Sequence, residues 1–305
     1  MKNSAIRWIC SLLICTVFLA MAAASSSESS GTPKEITGST GGSASDSASN
    51  SQTSAEPVTI EEQVLFDRDG VVVTAKEYTQ DSIWGDGIKL LVENNRDENI
   101  TVSCRDLIVN HYMVSNLFSC DVAAGKKVNK DLNFSSSDLK AAGIGTVAEV
   151  EASFHVYNAD TWDTIFDTDL VGIKTSEYGQ VEYLPNDAGK ELYNGGGIRI
   201  VGKYVDEDSI WGTAILLYVE NNSDQKIVVQ ARDLSVNGFM LTPLFSCTVY
   251  PGRMAVDDIT LLSSEMEQNG IESVQDVELS FHITDESFFN TIADTGPVSF
   301  TVENP

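Results

Sequence analysis

The chain has 305 residues, of which 45 are Asp or Glu and 19 are Lys or Arg, so its formal net charge is −26. This balance excludes a general nucleic-acid binder, whose affinity comes from Lys and Arg side chains that neutralise phosphates. Charged residues make up only 21% of the chain and hydrophobic residues 42%, which also excludes a wholly disordered acidic protein. At roughly 150 residues per domain, the length predicts about two domains.

Residues 1–24 have the pattern of a secretory signal peptide. Lys2 and Arg7 precede an apolar run, and small residues at 22–24 stand before Ser25. A retained membrane anchor is the alternative, since an apolar stretch of about 17 residues is at the short edge of what spans a bilayer. Removal of this segment leaves 17 basic residues against 45 acidic ones, a net charge of −28. We therefore expect an exported protein, extracellular or associated with the cell envelope, that meets a membrane only through this segment if it is uncleaved.

Residues 25–56 form a second block, which is rich in Ser, Gly and Thr. Ile36 is its one aliphatic residue larger than Ala, and most of its other residues are Ser, Gly, Thr and Ala. A stretch of this composition buries too little apolar surface to offset its chain entropy. The composition predicts a disordered tether.

The rest of the chain is a duplication. At an offset of 127 residues, 65–175 aligns without gaps with 192–302, and about 45 of 111 positions are identical. We refer to these segments as the first and the second repeat. The alignment predicts two homologous domains, 57–175 and 191–305, joined by a linker at 176–190 that contains Gly and Pro.

Within each repeat the hydrophobic residues alternate with a period of two. Ile88, Leu90 and Val92 follow this pattern, and turn residues such as Asn94 separate the runs. Alternation over four to eight residues between turn signals is typical of half-buried antiparallel strands. One capped helical turn interrupts them, at 136–143 and again at 263–270. We expect an all-β fold, two tandem immunoglobulin-like antiparallel β-sandwiches with one short helical turn each.

The shared motifs also resemble a known kind of repeat. They are Val-Glu-Asn-Asn, then Arg-Asp-Leu, then Leu-Phe-Ser-Cys, then a short acidic helix ending in Gly-Ile. This series is similar to the uncharacterised tandem Ig-like repeats of exported clostridial-type Gram-positive proteins, which often follow a signal sequence and a Ser-rich tether. The resemblance covers 64–302 and implies a fold, with no activity to carry over.

Two tryptophans are candidates for a binding surface. Trp84 and Trp211 occupy matching positions between an acidic turn and the next strand. Each is either an exposed platform for a sugar ring or a cap on the core, and burial of most of the indole favours the core. A third tryptophan, Trp162, is replaced by Phe289 in the second repeat, and this exchange favours a packing role over a sugar-binding role for Trp162.

A second candidate surface contains Glu151 and His155, with Glu278 and His282 at the matching positions. Side chains four apart on a strand lie about 13 Å from each other, at about 3.3 Å per residue, so Glu151 and His155 cannot share a zinc ion. A ladder of polar side chains that pair across strands is the favoured interpretation.

Cofactors and reactive groups receive little support from the sequence. The acidic clusters 160–169 and 206–208 allow weak calcium binding, although neither matches a calcium-loop pattern. Cys104, Cys120 and Cys247 lie in the repeats; a Cys104–Cys120 disulfide is possible, but buried thiols are favoured because Cys104 matches an alanine. No catalytic fingerprint is present in the repeats.

We therefore expect a non-catalytic, exported protein that presents two Ig-like modules for extracellular binding or adhesion to a protein or glycan. One alternative is a structural spacer without a specific partner. The other is a carbohydrate- or calcium-binding module. Tandem copies would raise avidity for a repeating target.

Overall fold

Antiparallel β-strands account for most of the structure, as the alternation predicts. The computed structural model describes residues 34–37, 57–81, 85–207 and 212–302. Strand β1 lies upstream of both repeats, at Lys34–Thr37. The strands of the first repeat are β2 (Gln63–Arg68), β3 (Val71–Asp81), β4 (Gly85–Asn94), β5 (Ile100–Val109), β6 (Tyr112–Met113), β7 (Ser119–Val122), β8 (Lys127–Asn133), β9 (Glu149–Asn158), β10 (Thr164–Asp167) and β11 (Val171–Lys174).

The second repeat has the same strand order. Its strands are β12 (Lys190–Gly195), β13 (Ile198–Asp206), β14 (Thr213–Asn221), β15 (Ile227–Val236), β16 (Phe239–Met240), β17 (Ser246–Val249), β18 (Arg253–Leu261), β19 (Asp276–Asp285), β20 (Thr291–Asp294) and β21 (Val298–Val302).

One short helix stands at the predicted place in each repeat. Helix α1 spans Ser136–Ala142; the Ser135 side chain accepts from the backbone N–H of Asp138 at its start, and Gly143 ends it at a φ of 77°. A left-handed residue at this position favours glycine, which has no Cβ to clash. Helix α2 spans Ser263–Gln268 and has no side-chain cap at its start.

In each repeat, residues from two groups of strands share one hydrophobic core. In the first repeat, β2, β3, β4 and β8 form a four-stranded sheet, and β5 pairs with β6, β7 and β9 on the other side. Strand β9 also pairs with β10 and β11. Leu90 and Val92 from the first group and Val102 and Phe154 from the second are fully buried in the same cluster. The second repeat repeats these pairings and has its own cluster.

Two of the repeated motifs, Val-Glu-Asn-Asn and Arg-Asp-Leu, lie at places where they shape the strands and loops of each repeat. Asn94 and Asn221 are almost fully buried, and each amide donates to two backbone carbonyls that lie in different loops or strands. The Arg-Asp-Leu motif falls at a β-bulge, between β5 and β9 in one repeat and between β15 and β19 in the other. A bulge turns a side chain out of the regular pleat, and Asp106 lies at this bulge with its side chain 11% exposed.

The first repeat contacts the second through a hairpin. Strand β6 pairs in parallel with β18, and the backbone N–H of Met254 donates to the carbonyl of His111 at 3.0 Å. Tyr112 packs against Tyr218 with the ring centroids 6.5 Å apart. These side chains form a small apolar cluster between the repeats, together with Ala142 and Val201.

A polar cluster extends the same contact. The Asp106 carboxylate accepts from the Ser153 hydroxyl at 2.8 Å, from the Tyr250 hydroxyl at 2.9 Å and from the Lys226 ammonium at 3.1 Å. Next to it, Arg253 forms an ion pair with Glu151 at 2.7 Å. The described residues all belong to one compact unit, Pro33–Pro305.

Strand β1 is a departure from the sequence prediction, because it lies inside the segment predicted to be disordered. Lys34 and Glu35 pair with β13, and Ile36 and Thr37 pair with β21. The prediction is wrong for these four residues, since Ile36 is 5% exposed and joins the core of the second repeat. The remainder of 25–56, like the predicted signal peptide, lies outside the described residues. Among the described residues, no helix has the length and apolarity needed to cross a membrane.

Candidate functional site

The structure describes four of the six residues that the sequence singled out as candidates for a binding surface. Trp84 and Trp211 lie outside the described residues. The Glu151 carboxylate forms the ion pair with Arg253 at the contact between the repeats, so it is engaged within the chain. Glu278, its counterpart in the second repeat, is exposed.

His155 and His282 each pair with an aspartate on the neighbouring strand. His155 Nδ1 lies 2.6 Å from Asp167 Oδ1, and His282 Nδ1 lies 2.5 Å from Asp294 Oδ1. In each case the two residues are directly opposite in the strand register, so the contact is a cross-strand pair on one sheet face. Such a pair fixes the orientation of the imidazole ring.

In the first repeat, the oriented His155 is the base of an aromatic stack. Its ring stacks on Tyr157 with centroids 5.2 Å apart, and Tyr157 stacks on Trp162 with centroids 5.6 Å apart and the planes at 17°. The Trp162 side of this stack faces solvent, because Trp162 is 67% exposed. We call these three residues the aromatic stack. The packing role expected for Trp162 is therefore wrong.

The loop that carries Trp162 is held in a strained but well-bonded conformation. Trp162 has a φ of 66°, which is uncommon for a bulky side chain. Its backbone N–H donates to the carbonyl of Asn158, and the backbone N–H of Asn158 donates to the carbonyl of Asp163, both at 2.9 Å. Strain of this kind persists only where the surroundings impose it, and it concentrates at functional positions.

Polar groups surround the stack. The Asn158 side chain accepts from two backbone N–H groups of the loop, and its amide donates to Glu98 at 2.7 Å. The exposed Asp160 accepts from the amide of Asn99 at 3.1 Å, and Asp163 accepts from the hydroxyl of Thr161 at 2.8 Å. The site therefore consists of an exposed aromatic ring in the same loop as two exposed carboxylates, Asp160 and Asp163.

The second repeat has a different aromatic surface at the matching loop. Phe288 is 53% exposed, with a φ of 63°, and Phe289 is 80% exposed. Thr284 replaces Tyr157, so no ring lies beneath these side chains in the way that Tyr157 lies beneath Trp162. The Ser287 hydroxyl and the Asn290 amide donate to the Asp285 carboxylate, and these hydrogen bonds hold the pKa of Asp285 below its usual value.

The three cysteines of the repeats lie in surroundings that favour the neutral thiol. All three are free thiols, and Cys120 and Cys247 are buried. Burial raises the pKa of Cys104 to about 12 and that of Cys247 well above its usual value. Since the thiolate is the reactive form, these positions suit packing. In the described part of the chain, no three His, Cys, Asp or Glu side chains come close enough together to hold a metal ion.

Comparisons with known proteins give no family. Neither a family model nor a curated protein matches the chain. One similar solved structure is the YadV chaperone, with 12% identity and a TM-score of 0.25 over 74% of this chain and 100% of that chain. A second is the Salmonella enterica SafA pilin in complex with the SafB chaperone, with 14% identity and a TM-score of 0.19 over 70% of this chain and 88% of that one. A third is a protein of unknown function from Porphyromonas gingivalis W83, with 12% identity and a TM-score of 0.19 over 77% and 96% of the two chains. We draw no argument from likeness at these scores.

The aromatic stack was missed at the level of sequence because its members come from both sides of a loop. Tyr157 and Trp162 are five residues apart, and only the turn at 158–163 brings the rings face to face. The available signal was an aromatic residue on either side of an Asn-Ala-Asp turn.

Proposed function

We propose that this chain is an exported, cell-envelope-associated binding protein composed of two Ig-like β-sandwich modules, 57–175 and 191–305. The duplicated sequence, the repeated strand order and the separate core of each repeat support the two modules. The resemblance to exported repeats and the N-terminal pattern of charged, apolar and small residues support export. In this proposal the protein is non-catalytic and acts by binding.

The ligand that the first module fits best is a carbohydrate. The observation that carries this proposal is Trp162, which is two-thirds exposed, stacks on Tyr157 and lies in the same loop as the exposed Asp160 and Asp163. A sugar ring has an apolar face of C–H groups, which packs on an aromatic ring, and hydroxyls at its edge, which donate to carboxylates. A mostly apolar surface with a few fixed polar groups is the usual composition of a small-ligand site.

A glycan array tests this proposal, with the wild-type chain, Trp162→Ala and a control variant compared on the same slides. The control is Leu117→Ala, because Leu117 is 96% exposed and lies in a different loop. We expect the wild type and Leu117→Ala to bind the same saccharides and Trp162→Ala to lose them. Binding that is equal in all three proteins would refute the role of the stack. No binding by any of them would favour the spacer without a partner.

A further inference from the structure

Strand β1 fills, in the second repeat, a position that the first repeat fills with its own sequence. In the first repeat, Ile60 forms a bridge with Thr175, a few residues before β2 begins. In the second repeat, Val302 is the residue 127 positions after Thr175, and its partner is Ile36. The second repeat therefore receives this strand from a segment that precedes the first repeat in the chain.

The second repeat's own segment is engaged elsewhere. At the offset of 127 residues, Asp187 corresponds to Ile60, and its carboxylate accepts from Arg199 at 2.6 Å. The backbone N–H of the neighbouring Asn186 donates to the Tyr112 hydroxyl and its amide to the carbonyl of Ala141, both at 2.8 Å, and its side-chain oxygen accepts from Lys203 at 3.2 Å. Residues 186 and 187 are thus held by Tyr112 and Ala141 of the first repeat and by Arg199 of the second, and β1 takes the position opposite Val302.

The acceptor position is shaped for β1. A Cβ atom on Gly202 would lie 3.1 Å from the Ile36 side chain and 3.2 Å from that of Leu192, so the missing side chain provides room for Ile36. The first repeat has Ala75 at the matching position. At one end of β1, the Lys34 ammonium forms an ion pair with Glu207 at 2.6 Å, and both side chains are largely shielded. We call this position the strand acceptor.

We propose that the strand acceptor takes β1 from a second copy of the chain, so that two copies exchange strands and form a dimer. Both strand partners of β1, β13 and β21, lie in the second repeat, and residues 38–56 separate β1 from the first repeat in the sequence. A strand from another copy makes the same hydrogen bonds, the same Ile36 contacts and the same Lys34–Glu207 pair. Addition of an extended segment to a sheet edge is a common mode of recognition, and exchange of an identical element is a low-cost route to a dimer.

The exchange depends on how densely the copies are packed. A chain's own β1 competes because the 19 residues at 38–56 connect it covalently to its own acceptor, and intramolecular competition of this kind corresponds to an effective concentration on the order of millimolar. Dimers therefore increase with protein concentration and are favoured where copies are crowded on one surface. Reciprocal exchange fills both acceptors and closes the assembly, because neither copy keeps a free acceptor.

Engineered cysteines report the exchange directly. Thr37 and Thr301 are opposite each other in the strand register, and such pairs have Cα atoms about 4.5–5.5 Å apart, within the range of a disulfide. One full-length chain carries Thr37→Cys and a differently tagged one carries Thr301→Cys; they are refolded together over a range of concentrations and oxidised. We expect a cross-linked heterodimer whose fraction rises with concentration.

Three further samples make the result decisive. The parent chain gives the background from the native cysteines. Adding Ile36→Asp to the Thr37→Cys chain lowers the heterodimer about tenfold or more, because a carboxylate replaces the buried side chain. A single chain with both cysteines reports on β1 within one copy. If that chain closes internally while the mixture gives no heterodimer at any concentration, β1 does not exchange and the proposal is wrong. If neither sample cross-links, β1 does not occupy the acceptor, which also overturns the proposal.

Discussion

The contact between the repeats is the part of the structure that a single substitution tests most clearly. Lys226→Met removes the only cation that touches Asp106 among the described residues and keeps most of the side-chain volume. The side chains of Lys226 and Asp106 are only 13% and 11% exposed, so solvent screens this pair weakly. The lysine also lies 4.3 Å from the centre of the Tyr250 ring, and this contact is lost with it.

The size of the effect follows from these contacts. A hydrogen bond to a charged group contributes about 1.5–3 kcal/mol, and the substitution leaves Asp106 with two hydroxyl donors, so we expect a loss of about 2 kcal/mol in the free energy of unfolding. With a urea slope of about 2 kcal/mol per molar, the midpoint of unfolding falls by about 1 M.

The matched control is Lys127→Met, which removes an exposed pair with Glu93 at 3.6 Å. Exposed pairs contribute about 0–1 kcal/mol, so its midpoint should stay within about 0.5 M of the wild type. Urea unfolding of the three proteins, followed by circular dichroism, makes the comparison. In addition, Asp106→Asn with Lys226→Met should cost less than the two single changes combined. Equal midpoints for Lys226→Met and Lys127→Met would refute a docked arrangement of the repeats through Asp106.

Two further predictions concern buried polar groups. Burial raises the pKa of Asp257 from its ordinary value of 3.8 to about 6, and the negative charges of Asp258 and Asp138 act in the same direction. The folded state therefore holds this proton more tightly than the unfolded state, and the free energy of unfolding falls as the pH rises from about 4 to about 6. Asp257→Asn should match the wild type near pH 4 and be more stable by about 1–3 kcal/mol at pH 7 in urea unfolding, and an unchanged difference between the two pH values would contradict this. Asn221→Ala should lower stability by about 2–3 kcal/mol, because the carbonyls of Gln225 and Val249 lose their donor, whereas a change at the exposed Asn222 should stay within about 0.5 kcal/mol in thermal unfolding. A loss at Asn222 as large as that at Asn221 would show that the motif does not act through the buried amide.

Features set by local sequence were predictable. Alternation with a period of two located the strands, and the Ser and Gly signals located the first helix, because strand pleat and helix caps depend on neighbouring residues. The second helix lies at the predicted place, but the predicted serine cap is wrong, since Leu262 is at its N-cap and no side chain caps it. The repeated Val-Glu-Asn-Asn motif marked a turn, and the structure adds that its first asparagine bonds to carbonyls 28 residues away. The role of that asparagine depends on a partner distant in sequence, so the motif alone could not indicate it.

Features set by long-range contacts were missed. Asp106 and Asp233 have the same local sequence, yet only Asp106 meets Lys226 and Tyr250, and no local pattern distinguishes them. Composition predicted disorder at Ile36, because a single aliphatic residue stabilises a segment only where a distant strand offers it a pocket. The exposure of Trp162 likewise depends on the path of its loop.

The most direct test of the proposed function is a calorimetric titration of a saccharide selected on the array into the wild-type chain and into Trp162→Ala. Removal of an aromatic residue that anchors a ligand typically costs about 2 kcal/mol or more, so we expect the Kd to rise at least about tenfold while the fold, checked by circular dichroism, stays unchanged. An unchanged Kd in a folded Trp162→Ala variant would contradict binding at the aromatic stack.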